Sequence, residues 1–222
     1  MVTKKRKLNV EDAYALKTPD DSIRLYGEWA STYDSDFVGS SAYVLYRHIA
    51  EVFLHEQSSI NGAVLDVGCG TGVVGECLRA CGVAEVDGID ISQPMLAEAA
   101  RKTTGNDDRV YRKLIAADLT KKLDIADNQY AGLISAGTFT HGHLGPDPLD
   151  ELWRVAAPGA ICAIGIRSTH FESLKFGEKL SDDVQKRIIT KPKLVEVRIY
   201  SEEADNSEHA DDKACVVVCQ TV

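Results

Sequence analysis

Apolar and polar positions change their period near residue 62 of this 222-residue chain. Upstream, Ala42, Leu45, Ile49, Val52 and Phe53 fall on one stripe at helical spacing and predict an amphipathic helix over 40–57. Asn61-Gly62 reads as a turn, and from residue 63 short apolar runs alternate with helical patterns. "AVLDV" predicts a first strand, and Val74, Cys77, Leu78 and Cys81 mark a helix that Gly82 ends. "AEVDGIDI" predicts a second strand, and Ser92 caps a helix carrying Met95, Leu96, Ala99 and Ala100. "KLIAADL" and "YAGLISAG" predict the third and fourth strands. Asp147 and Pro148 open a helix with Leu149, Leu152, Trp153 and Ala156 inward, which Pro158-Gly159 stops before "AICAIGI" forms a fifth strand. Five such alternations predict a parallel sheet covered on both faces.

The last 50 residues break the rhythm. A polar helix with Asp182, Asp183, Lys186 and Arg187 precedes two strands with no helix between them. "LVEVRIY" alternates, as an edge strand with one wet face does, whereas "ACVVVC" is apolar throughout, as a strand buried on both faces is. The final strand is therefore expected inside the sheet and the penultimate one at its edge. The acidic joining segment, 201–212, reads as a mobile loop.

Composition narrows the picture. Hydrophobic content of 44% and charged content of 27% are those of a globular domain, and no run approaches the roughly 20 apolar residues of a membrane span. The opening "MVTKKRKLNV" lacks the apolar stretch of a secretory signal, so the expected location is the cytoplasm. Net charge is −9, which disfavours a nucleic-acid partner unless basic residues cluster. The dense basic run, Lys4 to Lys7, reads as a solvated tail within an expected flexible stretch, 1–19. Six cysteines lack zinc-site spacing and read as small apolar thiols, and no metal site is expected.

The candidate chemistry lies in "VLDVGCGTG", 64–72. Glycines between a strand and a helix let the backbone turn sharply and approach a ligand at the carboxyl ends of parallel strands. A dinucleotide fingerprint requires a glycine three positions after Gly70, where Val73 stands. The pattern here is D-x-G-x-G-x-G, with Asp66 ahead of Gly68, Gly70 and Gly72. A carboxylate so placed opposes a pyrophosphate and suits a cationic amino group. Asp90 ends the second strand, where an acid accepts hydrogen bonds from ribose hydroxyls, and Asp118 ends the third, within reach of an adenine amino group. A nucleoside joined to an amino-acid head, without phosphate, describes S-adenosylmethionine.

On "VLDVGCGTG", "VDGIDIS", "AADL", "ISAGTFTH" and "LWRVAAPGA", the sequence resembles class I S-adenosylmethionine-dependent methyltransferases over about 60–167. The resemblance implies an α/β fold: a seven-stranded Rossmann-like sheet of order 3-2-1-4-5-7-6, its seventh strand antiparallel and both faces covered by helices. It implies one methyltransferase domain over 1–222, with an N-terminal helical cap over 20–57 and the cofactor-binding core over 60–222. Asp66 and Gly68 would hold the methionine amino group and its surroundings, with Gly70 also binding the cofactor. Asp90 would grip the ribose, Ile91 pack on adenine, Asp118 and Leu119 recognise its edge, and Ala136 line the site. "YGEWASTYDSD" resembles the Y-x-x-W-A-x-x-Y-D opening of a branch containing Williams-Beuren-region-type and bacterial small-molecule methyltransferases. There Tyr26, Trp29 and Tyr33 would close over the cofactor; alternatively Trp29 and Tyr33, four apart, pin a helix to the core.

Methyl transfer needs a base where the acceptor holds a proton at neutral pH. His141 and His143, in the loop "GTFTHGHLG", either accept that proton or only form one wall of the pocket. His170 is a further pocket-facing candidate, and Arg167 either pairs an acidic acceptor or lies at the surface. Residues 20–57 and 138–192, with Tyr43, Tyr46, Phe139, Phe171 and Phe176, are expected to roof the site, which favours a small, partly apolar acceptor. The alternatives are a protein or RNA substrate, a non-catalytic S-adenosylmethionine-binding protein, and a nicotinamide enzyme, the last disfavoured by Val73 and Asp66.

Overall fold

The computed structural model describes residues 8–39, 42–56, 60–140, 144–202 and 209–222. Seven strands form one sheet: β1 (Val64–Val67), β2 (Val86–Asp90), β3 (Lys113–Ala116), β4 (Tyr130–Phe139), β5 (Ala156–Arg167), β6 (Lys193–Arg198) and β7 (Lys213–Gln220). Their order is β3-β2-β1-β4-β5-β7-β6, and β7 runs antiparallel to both its neighbours. Hydropathy accounts for the insertion. In β7, Ala214, Val216, Val217, Val218 and Cys219 are all buried, whereas edge strand β6 leaves Leu194 51% exposed.

Side chains alternate across the sheet, so each strand feeds two cores. Val64 of β1 joins one core, with Ile49 and Phe53 of α3 (Leu45–His55), Val74 and Leu78 of α4 (Val73–Ala80) and Leu96 of α5 (Gln93–Ala99). Leu65 and Val67 join the other, with Leu152 and Trp153 of α6 (Pro148–Val155) and Phe176 and Leu180 of α8 (Phe176–Gln185). The short α7 (Ser168–Ser173) follows β5 directly. No described helix is long and apolar enough to cross a membrane.

Several expectations need correction. The 40–57 helix is observed over Leu45–His55, with Ala42 outside it at φ +50°. Val155 ends α6, and Ala156 already pairs with Tyr130; a register shift in β5 absorbs Pro158-Gly159. Within the polar helix α8, Asp183 is buried, accepting from Trp153 Nε1 at 2.9 Å and pairing with Lys179. Cys69, Cys162 and Cys219 are buried as expected, but Cys81 is exposed.

The largest correction concerns the expected tail, 1–19. Residues 1–7 lie outside the described residues, but α1 (Val10–Tyr14) is a folded helix. Asn9 accepts from Asp12 N–H and Asp12 accepts from Asn9 N–H, a capping box that satisfies donors at both positions. Val10, Ala13 and Leu16, three apart, then bury their side chains. A second helix, α2 (Pro19–Trp29), follows with Thr18 as its cap, and a π-helical turn spans Asp34–Gly39.

Candidate active site

The carboxyl ends of the strands open into a cavity of about 980 Å³, its mouth included, roofed by α1, α2 and the π-helical turn. Gly68 and Gly70 both have positive φ, +68° and +52°. They differ in surroundings: a Cβ on Gly68 would collide with Thr138, whereas one on Gly70 would meet nothing within 4 Å and point into open space. The chain is thus bare at Gly68 for packing and at Gly70 for the cavity. Gly72 and Gly75 are bare for a different reason, because the ring of Tyr111 lies against both.

Asp90 at the tip of β2 does two jobs. Its Oδ2 accepts from Gly70 N–H at 2.9 Å, fixing the loop, and its Oδ1 accepts from Ser92 N–H at 2.8 Å, while the residue lines the cavity. Burial raises its carboxyl above the ordinary value, and the Ser92 and Gly70 N–H groups oppose that shift. Asp118, after β3, accepts from the Thr120 N–H and hydroxyl at 2.9 and 2.7 Å. Burial pushes its carboxyl up, but the Thr120 hydrogen bonds and Lys121 outweigh it and hold the group below the usual range.

The cavity wall brings together nine of the eleven expected cofactor residues: Tyr26, Tyr33, Gly68, Gly70, Asp90, Ile91, Asp118, Leu119 and Ala136. Two stand elsewhere. Trp29 is 1% exposed and edge-packed on Tyr33 and Phe37, so it pins α2 to the core. Asp66 is fully buried behind the loop, where its Oδ2 accepts from the Tyr111 hydroxyl at 2.7 Å and its Oδ1 has no partner. Burial pushes this carboxyl up to about 7, against the lowering effect of Tyr111. β-strand alternation explains the position: Asp66 faces the α4 side of the sheet, not its tip.

His141 and His143 lie outside the described residues. His170, on α7, is not part of the cavity wall; burial, then the Arg167 charge, lowers its pKa. Arg167 is neither at the surface nor free for an acceptor. It pairs with Asp212 at 2.9 Å and stacks over the Tyr14 ring at 4.4 Å. Phe139 and Phe176, expected in the roof, are core residues of the opposite sheet face.

Sequence reasoning missed three groups. Asp34 joins the aromatic segment to the glycine loop, accepting from the Thr71 hydroxyl at 2.5 Å and from Lys102 at 2.9 Å. Tyr111 fills the space behind the loop. Tyr14 and Tyr200 close the cavity, with the Tyr14 hydroxyl donating to Asp212 at 2.8 Å and lying 3.5 Å from the Tyr200 hydroxyl. The capping pattern "NVED" was the local signal for α1; nothing local marks Tyr200.

These residues fit S-adenosylmethionine. A carboxylate at each of two neighbouring strand tips, with Ile91 and Leu119 beside them, suits ribose and adenine, and no described lining residue carries a cation that a phosphate would need.

Residues 64–159 match a family model described as a methyltransferase domain. Human methyltransferase-like protein 27 is 27% identical over 180 residues, covering 78% of this chain and 69% of that protein. Two solved structures align with low identity. Geranyl diphosphate C-methyltransferase from Streptomyces coelicolor, with S-adenosylhomocysteine bound, has a TM-score of 0.65 at 12% identity, covering 95% of this chain and 100% of that one. Phosphoethanolamine N-methyltransferase 2 from Haemonchus contortus, also with S-adenosylhomocysteine, has a TM-score of 0.60 at 14% identity, covering 88% and 59%. Fold, glycine loop and family match agree: residues 64–159 match a methyltransferase domain, the fold is that of the aligned methyltransferases, and the cofactor that fits the cavity is S-adenosylmethionine.

Proposed function

We propose that the chain is an enzyme that methylates a small-molecule acceptor by in-line displacement. The observation that carries this reading is the roof. Tyr14, Leu16, Ser22, Tyr26 and Phe37 cover strand tips that would otherwise lie open to a macromolecule. In this reading Asp90 holds the ribose hydroxyls, Asp118 and Leu119 meet the adenine edge, Ile91 packs on its face, and Ala136 borders the reacting centre. Tyr26 and Tyr33 cover the amino-acid end, as in the branch that the "YGEWASTYDSD" segment resembles.

S-adenosylmethionine supplies a methyl carbon already activated by its sulfonium. The chain's own contribution is then orientation and exclusion of water, worth up to about 7–11 kcal/mol in favourable systems. The acceptor's lone pair forms the new bond as the carbon–sulfur pair returns to sulfur. The lining phenols donate hydrogen bonds rather than take protons: burial raises Tyr26, Tyr33 and Tyr43 above the ordinary phenol value. Where the acceptor is a hydroxyl, His141 or His143 would take its proton, and exchanging each for alanine should then slow turnover without weakening cofactor binding.

The test is S-adenosylhomocysteine release across amines, thiols, phenols and carboxylic acids. Turnover with a small acceptor is the expected result. Cofactor binding with no turnover, or turnover confined to protein or RNA, would overturn the reading.

A further inference from the structure

The cavity runs along the strand tips, and its two ends differ in chemistry. Asp90 and Asp118 mark the β2–β3 end. The opposite end, beyond Ala136, is walled by Phe37, Tyr43 and Tyr200, whose ring centroids are 4.9, 6.2 and 6.4 Å apart. Tyr43 Oη lies beside Gly137, at the end of β4, where a Cβ would stand 3.0 Å from it. Tyr200 follows β6 and is 1% exposed.

A chain of hydrogen bonds orients the Tyr200 hydroxyl. Arg167 at 2.9 Å holds Asp212 as an acceptor, and His209 Nδ1 also approaches it at 3.1 Å. Tyr14 donates its one proton to Asp212, at 2.8 Å. The Tyr14 oxygen then faces Tyr200 as an acceptor, so Tyr200 donates in the 3.5 Å contact between them. A Tyr200 hydroxyl that donates to Tyr14 has only lone pairs left for a ligand, and the faces of the aromatic rings around it carry negative potential.

From the small-molecule reading and this arrangement, we infer that the Phe37–Tyr43–Tyr200 end is an acceptor subsite for an amine that arrives as an ammonium. The ring faces attract the cation, and Tyr200 accepts one N–H. The same wall rejects carboxylates and phosphates, because no described lining residue supplies a compensating cation. For transfer, the ammonium gives one proton to bulk water, and its lone pair then forms the nitrogen–carbon bond as the carbon–sulfur pair returns to sulfur.

Calorimetry on the full chain saturated with S-adenosylhomocysteine compares benzylamine, benzyl alcohol and benzoate. Benzylamine is expected to bind about tenfold more tightly than the alcohol, with benzoate weakest. Tyr200→Phe keeps the ring and should weaken benzylamine about tenfold while S-adenosylhomocysteine affinity holds. Tighter benzoate, equal amine and alcohol, no binding of any probe, or an unchanged Tyr200→Phe would each overturn the inference. Failure of S-adenosylhomocysteine itself to bind falls on the cofactor site instead. The three probes are then compared on the free chain, where the same order of affinities supports the subsite and the same departures overturn it.

Discussion

The two ends of the cavity are built from different spans of chain. The proposed cofactor end takes Gly68, Gly70, Asp90, Ile91, Asp118 and Leu119 from three successive strand tips, each anchored by nearby hydrogen bonds. The proposed acceptor end takes Tyr14, Phe37, Tyr43 and Tyr200, and its hydroxyl contact joins residues 186 positions apart. The first end is a property of strand–loop–helix units. The second exists only once α1 has docked against the segment that enters β7. One fold can therefore keep its cofactor end constant while the acceptor end changes with distant segments.

Substitutions at the cofactor end should break binding before they break folding. Asp90→Ala removes the anchor of Gly70 N–H and the expected ribose ligand together. Hydrogen bonds to a charged group contribute about 1.5–3 kcal/mol each, so S-adenosylhomocysteine affinity should fall at least about 100-fold by calorimetry, with the circular dichroism spectrum retained. A loss of less than fivefold would move the ribose elsewhere.

Two neighbouring glycines sharpen the contrast within the loop. Gly68→Ala combines a left-handed backbone with a collision against Thr138 and should cost about 2–4 kcal/mol of stability in denaturant melts. Gly70→Ala, strained but unobstructed, should cost about 1 kcal/mol and yet lose more cofactor affinity than stability, because its methyl enters the cavity. Equal effects in both assays would remove the distinction drawn between them.

Behind the loop, Tyr111→Phe removes the side-chain donor of buried Asp66 and should cost about 1–3 kcal/mol. The smallest expected effect is a pH slope. Asp66 rises from 3.8 to about 7 on folding, so the folded chain binds this proton more tightly than the unfolded one. The contribution is complete below pH 3.8 and is lost as pH rises through about 7. Between pH 5.5 and 6.5, wild type should lose about 1 kcal/mol relative to Asp66→Asn, read as the change in their stability difference. A difference that stays flat would place the Asp66 proton outside this window.

How much could be read in the sequence follows the same division. The insertion of β7 with β6 at the edge was legible because "ACVVVC" is apolar throughout and "LVEVRIY" alternates; the full strand order and the antiparallel β7 followed from the family resemblance. Asp90 and Asp118 were legible because a strand tip fixes where a terminal side chain points. Asp66 shows the limit. One residue further back along β1, alternation turns its carboxylate to the sheet face, where Tyr111, 45 positions away, meets it. Trp29 looked functional by motif and serves as packing. The roof was illegible because Tyr14, Tyr200 and Asp212 carry no shared spacing, and the acidic, polar segments around them suggested mobility. His209 and Asp212, within that acidic segment, are instead bonded to Glu11 and Tyr14.

Everything at the site turns on whether S-adenosylmethionine lies across the tips of β1 to β4 with its ribose on Asp90. A crystal structure of the chain with S-adenosylhomocysteine tests this most directly. Ribose hydroxyls are predicted within hydrogen-bonding distance of the Asp90 carboxylate, adenine beside Leu119, and sulfur facing Ala136 and the Tyr43–Tyr200 wall. Density for the ligand elsewhere, or in this cavity with its ribose turned away from Asp90, would contradict that placement.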